Sequence, residues 1–477
     1  DLTDFITIKT PTIAKTMKIN EVPGKIKVMV KGGVGAIPEM SFPMFTKIYG
    51  AEARAVASRL IGYTKHRTIE LDKEIEIYGI MKTFFSNTNV GTFKNSVTVN
   101  WKRVEEWILE RPDAVRIDKK LMELAREGQL VHQFHKWNVH AKLESILRDD
   151  VPKLVEQADN RIIVWLEKGV SCLFSEAFKI IKSNLSGSLN SKCLYADGYT
   201  SSELARRARV IKCSTDTIFF EADLEKQDRQ TDELQFEVEL EIFKIFGMTT
   251  DMVALWKTTK NNWRLKGKFT KAMLNLKRCT GEPATSLANL ITNLTVNWRF
   301  IDKNVENLDI CLFLGDDFLA IFNDSIDSFN YEDTIRLRYN MVTVCNENRN
   351  HGTFLRMICY KDGNVLGMGP DFVRLRRRFE LTNGVSEVNE EILEARCLSY
   401  MMMLGKLGPV EEIDLCKKYE LELPTYYNPL LVMHAICEKY KMTEDEVRNN
   451  LNTLIKYIKE RKIIKFEFKG FVGTPYG

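Results

Sequence analysis

The sequence has no CxxC pair, no apolar run of bilayer length and almost no charge imbalance, and each absence closes off a class of protein. Its ten cysteines (Cys172, Cys193, Cys213, Cys279, Cys311, Cys345, Cys359, Cys397, Cys416 and Cys437) are scattered. A structural zinc site draws on closely spaced ligands, and a chain this long does not depend on a disulfide framework. They read as free thiols in a reducing compartment. No stretch approaches the ~18 apolar residues that cross a bilayer. The most apolar short run, Tyr400 to Leu404, is stopped by Lys406. Basic residues number 69 and acidic ones 65, a net charge of +4, so the distribution of charge says more about partners than the total. With 12 Pro and 26 Gly there is no collagen-like or low-complexity bias, and no internal repeat is visible. The opening Asp1-Leu2-Thr3-Asp4 is acidic, unlike the basic-then-apolar start of a signal peptide. The missing initial Met is the expectation for a chain cut from a longer protein or trimmed.

What is present is an ordinary globular balance, 44% hydrophobic and 28% charged over 477 residues. That excludes a mostly disordered chain and suggests about three domains or one large composite enzyme. The first 130 residues mix β-like runs (Ile26 to Val30, Ile75 to Tyr78, Ser96 to Trp101) with a helical stretch near Glu52 to Leu60. The glycine-rich Lys31 to Gly35 lacks the ending of a phosphate loop and reads as a turn. The last ~90 residues read as helical. There Thr443 and Glu446 have capping-box spacing, ahead of an apolar stripe at Val447, Leu451, Leu454 and Ile458.

Chemistry concentrates between residues 215 and 345. Ile218 to Phe220 predicts a buried strand with Asp223 at its end, where a carboxylate can serve as a hard-cation ligand or simply as a turn residue. A helix follows, with Leu234, Val238, Ile242 and Ile245 on one face. Downstream, Gly281 offers a flexible turn, Pro283 suits the first turn of a helix, and Thr285, Asn289 and Asn293 fall at i, i+4 and i+8. That polar stripe is either a solvent face or a set of hydrogen-bonding groups for a ligand; a solvent face usually carries long charged residues, and this one carries none. Finally, Leu308 to Leu314 and Phe318 to Phe322 flank Gly315-Asp316-Asp317, a predicted hairpin with paired carboxylates at its tip. Such charges are costly beside apolar strands unless solvated or neutralised by a cation. Together with Asp223 they could share divalent cations in a two-metal site.

The order D-x4-D, then [S/T]G-x3-T-x3-N, then GDD resembles motifs A, B and C of viral RNA-dependent RNA polymerases. The surrounding text is similar to the alphavirus-like group of positive-strand RNA viruses, which includes tobamovirus-like (virga-like) viruses. The likeness runs from about residue 138 to 380. It implies an α+β right-hand fold with a ferredoxin-like antiparallel palm, fingers and a helical thumb. The expected domains are an N-terminal region or fingers extension at 1–130, fingers with motif F at 131–215, a palm with motifs A to E at 216–384 interrupted by a fingers insertion at about 247–277, and the thumb at 385–477.

The resemblance also implies residue roles. Asp223 and Asp316 would hold two Mg²⁺ (Mn²⁺ could substitute), with the Leu224 carbonyl assisting and Asp317 tuning the site. Asp228 and Asn289 would bond the ribose 2′-hydroxyl, with Thr285 holding them. Lys142, Lys153 and Arg161 are the motif F candidates for the triphosphate, with Lys136 and Arg148 as rivals. Lys361 is the motif D candidate for protonating pyrophosphate; Arg356 competes, and the turn at Asp362-Gly363 gives Lys361 an alternative structural reading. Arg206, Arg207, Arg209, Gly281, Arg374 and Arg376 are candidate RNA contacts, the last two in a run with Arg377 and Arg378. His132, His135 and His140 lack an accompanying ligand set and are not read as a metal site. Implied partners are RNA template and product, NTPs, and other viral replication proteins such as a capping enzyme and a helicase. Membrane association would be indirect, in a replication complex in host cytoplasm. The alternatives are a reverse transcriptase-like, DNA-synthesising palm polymerase and an inactive RNA-binding replication subunit.

Overall fold

The computed structural model describes residues 5–8, 29–30, 41–43, 49–60, 69–86, 93, 96–111, 114–127, 130–141, 145–147, 161–225, 227–355, 357–370 and 381–382. The N-terminal part carries β1 (Phe5–Ile8), β2 (Met29–Val30), β3 (Ser41–Pro43), α1 (Tyr49–Leu60), α2 (Lys73–Phe84), α3 (Trp101–Leu109), α4 (Ala114–Arg126) and α5 (Leu130–Gln133). Next come β4 (Lys136–Ala141), β5 (Ser145–Leu147), β6 (Ile162–Leu166), α6 (Lys168–Ser188), β7 (Cys193–Tyr195) and α7 (Ser201–Ala208). The central part runs β8 (Ile218–Leu224), α8 (Gln227–Gln230), α9 (Glu233–Ile245), α10 (Thr250–Lys260), β9 (Trp263–Lys266), β10 (Thr270–Leu274), α11 (Thr285–Lys303), β11 (Leu308–Leu314) and β12 (Asp317–Phe322). Last are α12 (Tyr331–Tyr339), β13 (Thr343–Asn348), β14 (His351–Phe354), β15 (Met357–Asp362), β16 (Val365–Pro370) and β17 (Leu381–Thr382). The expected thumb, with its Thr443 capping box, lies outside the described residues, as does the glycine-rich turn at Lys31.

The near-continuous apolar runs of β8, β11 and β12 are explained by cover on both faces of one sheet, ordered β13-β8-β12-β11-β7. On one face Phe220, Phe318, Ala320 and Phe322 join the main core. There Phe220 and Phe322 meet Phe300 of α11 at ring separations of 4.4 and 5.8 Å. On the other face Phe219, Leu319 and Ile321 share a second core with Leu204 and Ala208 of α7 and with Met357, Cys359 and Leu366 of the small β14-β15-β16 sheet. A second five-stranded sheet, ordered β1-β10-β9-β4-β6, stands beside this layer. Sheets and helices thus alternate through the chain, the mixed composition expected.

Two strand expectations near the N-terminus fail. Ile75 to Tyr78 lies inside helix α2, whose N-cap Asp72 accepts a hydrogen bond from the Glu74 N–H at 2.7 Å. The buried set Glu76, Gly79, Ile80, Thr83 and Phe84 follows the helical period, which a four-residue window cannot reveal. Ser96 to Trp101 forms only an isolated bridge at Val97 before Asn100 caps α3. Helix α1, by contrast, forms where the Glu52 to Leu60 pattern expects it.

The N-terminal helices are keyed into the rest of the fold by buried carboxylates. Glu76 of α2 is fully buried and accepts hydrogen bonds from Trp298 Nε1 (2.8 Å), both Arg299 terminal nitrogens (2.7 and 2.5 Å) and the Tyr339 hydroxyl (2.8 Å). Glu52 of α1 accepts from the Phe269 and Thr270 N–H groups and the Thr270 hydroxyl, closing the β9–β10 turn. The described cysteines are free, most of them buried.

Candidate active site

A two-residue loop whose first residue has positive φ and whose second does not is the type II′ hairpin, and glycine is the residue that fits its first position. Gly315 has φ +59°, Asp316 follows it, and Leu314 pairs with Asp317 across the turn. The expected hairpin is therefore present, with Asp316 at its tip and Asp317 opening β12. Antiparallel register sets Phe318 against Ala222; one further step sets Asp317 opposite Asp223. All three carboxylates are solvent-exposed. The Asp223 carboxyl is pushed above the usual carboxylate range, first by partial burial and then by the Asp316 charge, with a hydrogen bond from the Leu224 N–H opposing.

The backbone around these carboxylates is fastened by polar side chains. Asn293 Nδ2 donates to the Gly315 carbonyl at 2.7 Å, tying helix α11 to the hairpin turn. The Thr343 hydroxyl donates to the Asp223 carbonyl at 2.9 Å. Gln230, buried on α8, acts as a clamp: its amide nitrogen donates to the Glu225 and Val342 carbonyls and its oxygen accepts from the Val342 N–H. Asp228 lies on the same short helix. None of these fasteners has a signal in local sequence except Asn293, which continues the i+4 stripe.

That stripe is not a solvent face. Asn289, Thr292, Asn293, Thr295 and Asn297 are all buried along α11. Thr285 donates to the Cys279 and Glu282 carbonyls at 2.8 and 2.9 Å, closing the loop that precedes the helix. Asn289, one turn on, is 8% exposed and its Oδ1 accepts no hydrogen bond among the described residues. An unpaired buried acceptor costs about 1–3 kcal/mol, so it points to a ligand group or water as its partner. Pro283 stands ahead of the N-cap Ala284 rather than in the first helical turn.

Gly281 is also different from expectation. Its φ is not positive, and no flexible turn is needed. Instead its N–H donates to the Val164 carbonyl at 2.8 Å, and the Thr280 hydroxyl bonds both Ile162 and Val164, so the loop extends the edge of β6. A Cβ at Gly281 would meet that carbonyl at 2.8 Å and Trp165 Cβ at 3.0 Å. Close backbone approach is what this structure asks of the residue.

Beneath the loop lies a charge cluster with no counterpart in the sequence reading. Arg278 pairs with Glu282 (2.7 Å) and Glu239, and Glu282 pairs with Lys260; all four are at most 6% exposed. Burial would raise both carboxylates. Lys260 and Arg278 outweigh it at Glu282, holding that group low, whereas Glu239 stays raised. Lys260 also lies 4.6 Å from the Trp137 ring. Arg278 and Glu282 are four residues apart, but Lys260–Glu282 and Arg278–Glu239 span 22 and 39 residues, so no local spacing announces those two pairs.

A family profile described as "RNA dependent RNA polymerase" matches residues 79–342, more than half of the chain. The chain belongs to this polymerase family. Among relatives, it is 26% identical over 212 residues to "RNA-directed RNA polymerase 2a" of Brome mosaic virus, covering 40% of this chain and 25% of that protein. It is 22% identical over 241 residues to the "Replicase large subunit" of Tobacco rattle virus (strain SYM), covering 49% and 14%. It is 28% identical over 160 residues to the "Non-structural polyprotein pORF1" of Avian hepatitis E virus, covering 34% and 10%. The chain thus spans a tenth to a quarter of the length of these relatives. The profile begins at residue 79, well upstream of the likeness visible from motifs, and so takes in the second half of α2.

Other expected site residues of the polymerase are dispersed or fall outside the description. Lys142, Lys153, Arg148, Arg356, Arg374 and Arg376 lie outside the described residues. Arg161 is exposed at the start of β6. Arg206 and Arg207 are exposed on α7, with Arg207 4.4 Å from the Tyr199 ring, but Arg209 pairs with Asp362 at 3.1 Å. Lys361 is placed by a backbone contact instead of among the carboxylates. Its Nζ donates to the Thr215 carbonyl at 2.9 Å, ahead of the start of β8. Asp223 lies near the other end of that strand, about 16 Å along it from Ile218 at 3.3 Å per residue. The Lys361-Asp362-Gly363 reading as a turn is the one that stands: Asp362 pairs with Val365 and Gly363 has φ +64°. His135 Nδ1 bonds the Asn261 carbonyl and His140 packs on Trp165. Among the described residues no group of three His, Cys, Asp or Glu side chains is close enough to hold a metal by itself.

Proposed function

We propose that the chain catalyses template-directed RNA synthesis, in which a 3′-hydroxyl attacks the α-phosphate of an NTP and pyrophosphate leaves. The observation that carries this reading is that Asp223 at the end of β8 lies beside the II′ turn carrying Asp316 and feels its charge, both residues being exposed and neither forming an ion pair among the described residues. The donor set fits Mg²⁺, which keeps waters and takes one or two carboxylates plus substrate phosphates instead of an all-protein cage. Asp223 and Asp316 would hold the ions, with Leu224 and Asp317 beside them. Bound there, Mg²⁺ would supply positive charge to the attacking and leaving oxygens.

The chain's own residues do the positioning. Gln230 and Thr343 hold the backbone on either side of Asp223, and Asn293 fixes the turn that carries Asp316. Asn289 offers its unpaired Oδ1 to a ribose 2′-hydroxyl, with Asp228 as the second candidate, while Thr285 fixes the helix start. In this reading the β8-centred sheet is the palm, the β9–β10 sheet belongs to the fingers, and residues 385–477 supply the thumb. Full-length protein with a primed RNA template, Mg²⁺ and either NTPs or dNTPs tests it. Extension with NTPs is expected. Extension with dNTPs alone would favour the reverse transcriptase-like reading, and RNA binding without extension the inactive-subunit reading.

A further inference from the structure

Along β9 and β10, residues 263–274 contain four cations (Arg264, Lys266, Lys268 and Lys271) and no acid. The alternation of the strands decides where they go. Trp263, Leu265, Thr270, Ala272 and Leu274 are buried, and Arg264, Lys266, Lys271 and Met273 are exposed. Register places Lys271 beside Lys266 and Met273 beside Arg264. The next strand, β4, sets Lys136 beside Arg264, again exposed, and Asn138 beside Lys266. One face of this sheet is therefore basic over three adjacent strands, and none of its positions on β4, β6, β9 or β10 is Asp or Glu.

Several cations elsewhere on the surface are neutralised by the fold. Lys82 pairs with Asp302, Lys257 with Glu237, Lys303 with Asp327 and Arg336 with Asp333. Among the described residues no ion pair joins Lys136, Arg264, Lys266 or Lys271. A cluster of unpaired like charges repels itself, and a polyanion relieves that cost.

The face also leads somewhere. Successive strands β10, β9, β4 and β6 cover about 14 Å at the usual interstrand spacing. At the β6 edge stand half-buried Trp165 and the Gly281 loop that precedes the Asn289 helix. Cations along a strand repeat about every 6.6 Å, and an aromatic ring lies at the end of the row, a combination suited to a single-stranded polynucleotide.

We propose that Lys136, Arg264, Lys266 and Lys271 form a binding track for the phosphate backbone of single-stranded RNA, leading across the sheet toward the Gly281 loop. This rests on the RNA-polymerase reading for the identity of the polyanion.

The test is RNA binding, measured apart from synthesis. The triple variant Arg264→Gln/Lys266→Gln/Lys271→Gln is compared with a control that removes equal charge from paired sites, Lys82→Gln/Lys257→Gln/Lys303→Gln. Each lost phosphate contact on a single strand flattens the plot of log affinity against log salt by about 0.7. The track variant should lose about 2 from the slope and bind roughly 10-fold or more weakly near physiological salt, with KM for NTP unchanged at saturating template. The control should keep nearly the wild-type slope. An unaltered slope in the track variant, as an acidic protein partner for this face would give, overturns the proposal even if synthesis is normal. So does equal flattening in the control, which would reduce the effect to net charge, or a raised KM for NTP with the slope intact. A flattened slope in a protein that makes no product would leave the track standing and remove the polymerase reading instead.

Discussion

Two groups of charges lie within one helix length of α11, and they are built on opposite terms. Under the Gly281 loop, Arg278, Lys260, Glu239 and Glu282 are buried and matched, two cations against two carboxylates. At the hairpin tip, Asp223, Asp316 and Asp317 are exposed, and what Asp223 feels from its neighbour Asp316 is repulsion. Burying a charge is tolerable only when its partner comes with it. An exposed carboxylate that a like charge pushes upward gains nothing from the fold, and such a group is a candidate for binding a cation. The first group should therefore control whether the chain folds, and the second whether it reacts.

The sharpest test of that division removes a carboxylate. Asp316→Ala and Asp223→Ala should each lower nucleotide addition by roughly 10³-fold or more, the scale of losing a main electrostatic contact at a reacting centre. Thermal stability should stay close to wild type, because no buried partner is stranded. Near-normal extension in Mg²⁺ by either variant, or a collapse of its fold, breaks the comparison.

The exposed carboxylates are legible in the sequence and the buried cluster is not, for physical reasons. Gly315-Asp316-Asp317 is a contiguous turn between apolar strands, and Asp223 ends a β-branched and aromatic run, so local pattern carries both. Thr285 and Asn289 were found by helical spacing. Arg278–Glu239 and Lys260–Glu282 are pairings between distant segments, and a buried Lys looks like a surface Lys until its neighbours are known. Gly281 looked like a free turn because close approach to Val164 cannot be read along the chain. Lys361 follows the right segment in sequence, but its bond to the Thr215 carbonyl ahead of β8 joins distant segments and has no local signal. The alternation of Ile75 to Tyr78 was helical, and four residues were too few to show it.

On the structural side, Arg278→Met should cost about 3–5 kcal/mol, since it leaves Glu239 and Glu282 buried with one cation between them. Unfolding by urea measures this. Adding Glu239→Gln to that variant should recover part of the loss, because the most desolvated unpaired charge is then gone. If Arg278→Met is as stable as wild type, the buried cluster is not what holds the loop.

Asn289 tests the border between the two groups, being buried like the first while its Oδ1 accepts no hydrogen bond among the described residues. A site that hydrogen-bonds a hydroxyl rejects the analogue without it. Asn289→Ala should lower the preference for NTP over dNTP by about 10²-fold while lowering dNTP incorporation far less, read as the ratio of kcat/KM values. An unchanged ratio would assign Asn289 to packing.

The smallest effect runs opposite in sign to the rest. The Asp223 carboxyl is raised in the folded chain, so the fold favours its protonated form. That contribution to stability is present below the ordinary carboxylate pKa and is lost as pH rises through the raised value. At pH 7 the ionised pair is a burden on the metal-free protein, and Asp223→Asn should raise its melting temperature slightly. The gain should shrink as pH falls through the raised value, below which wild-type Asp223 is protonated as well. Mg²⁺ should reverse the ranking at pH 7, because a ligand that binds only the folded chain stabilises it, and only wild type keeps both carboxylates to bind it. A melting temperature for Asp223→Asn below wild type without metal, or an equal Mg²⁺ response in the two proteins, would mean that the fold itself uses the Asp223 charge, and the division between matched and unmatched charges would fail at its most exposed point.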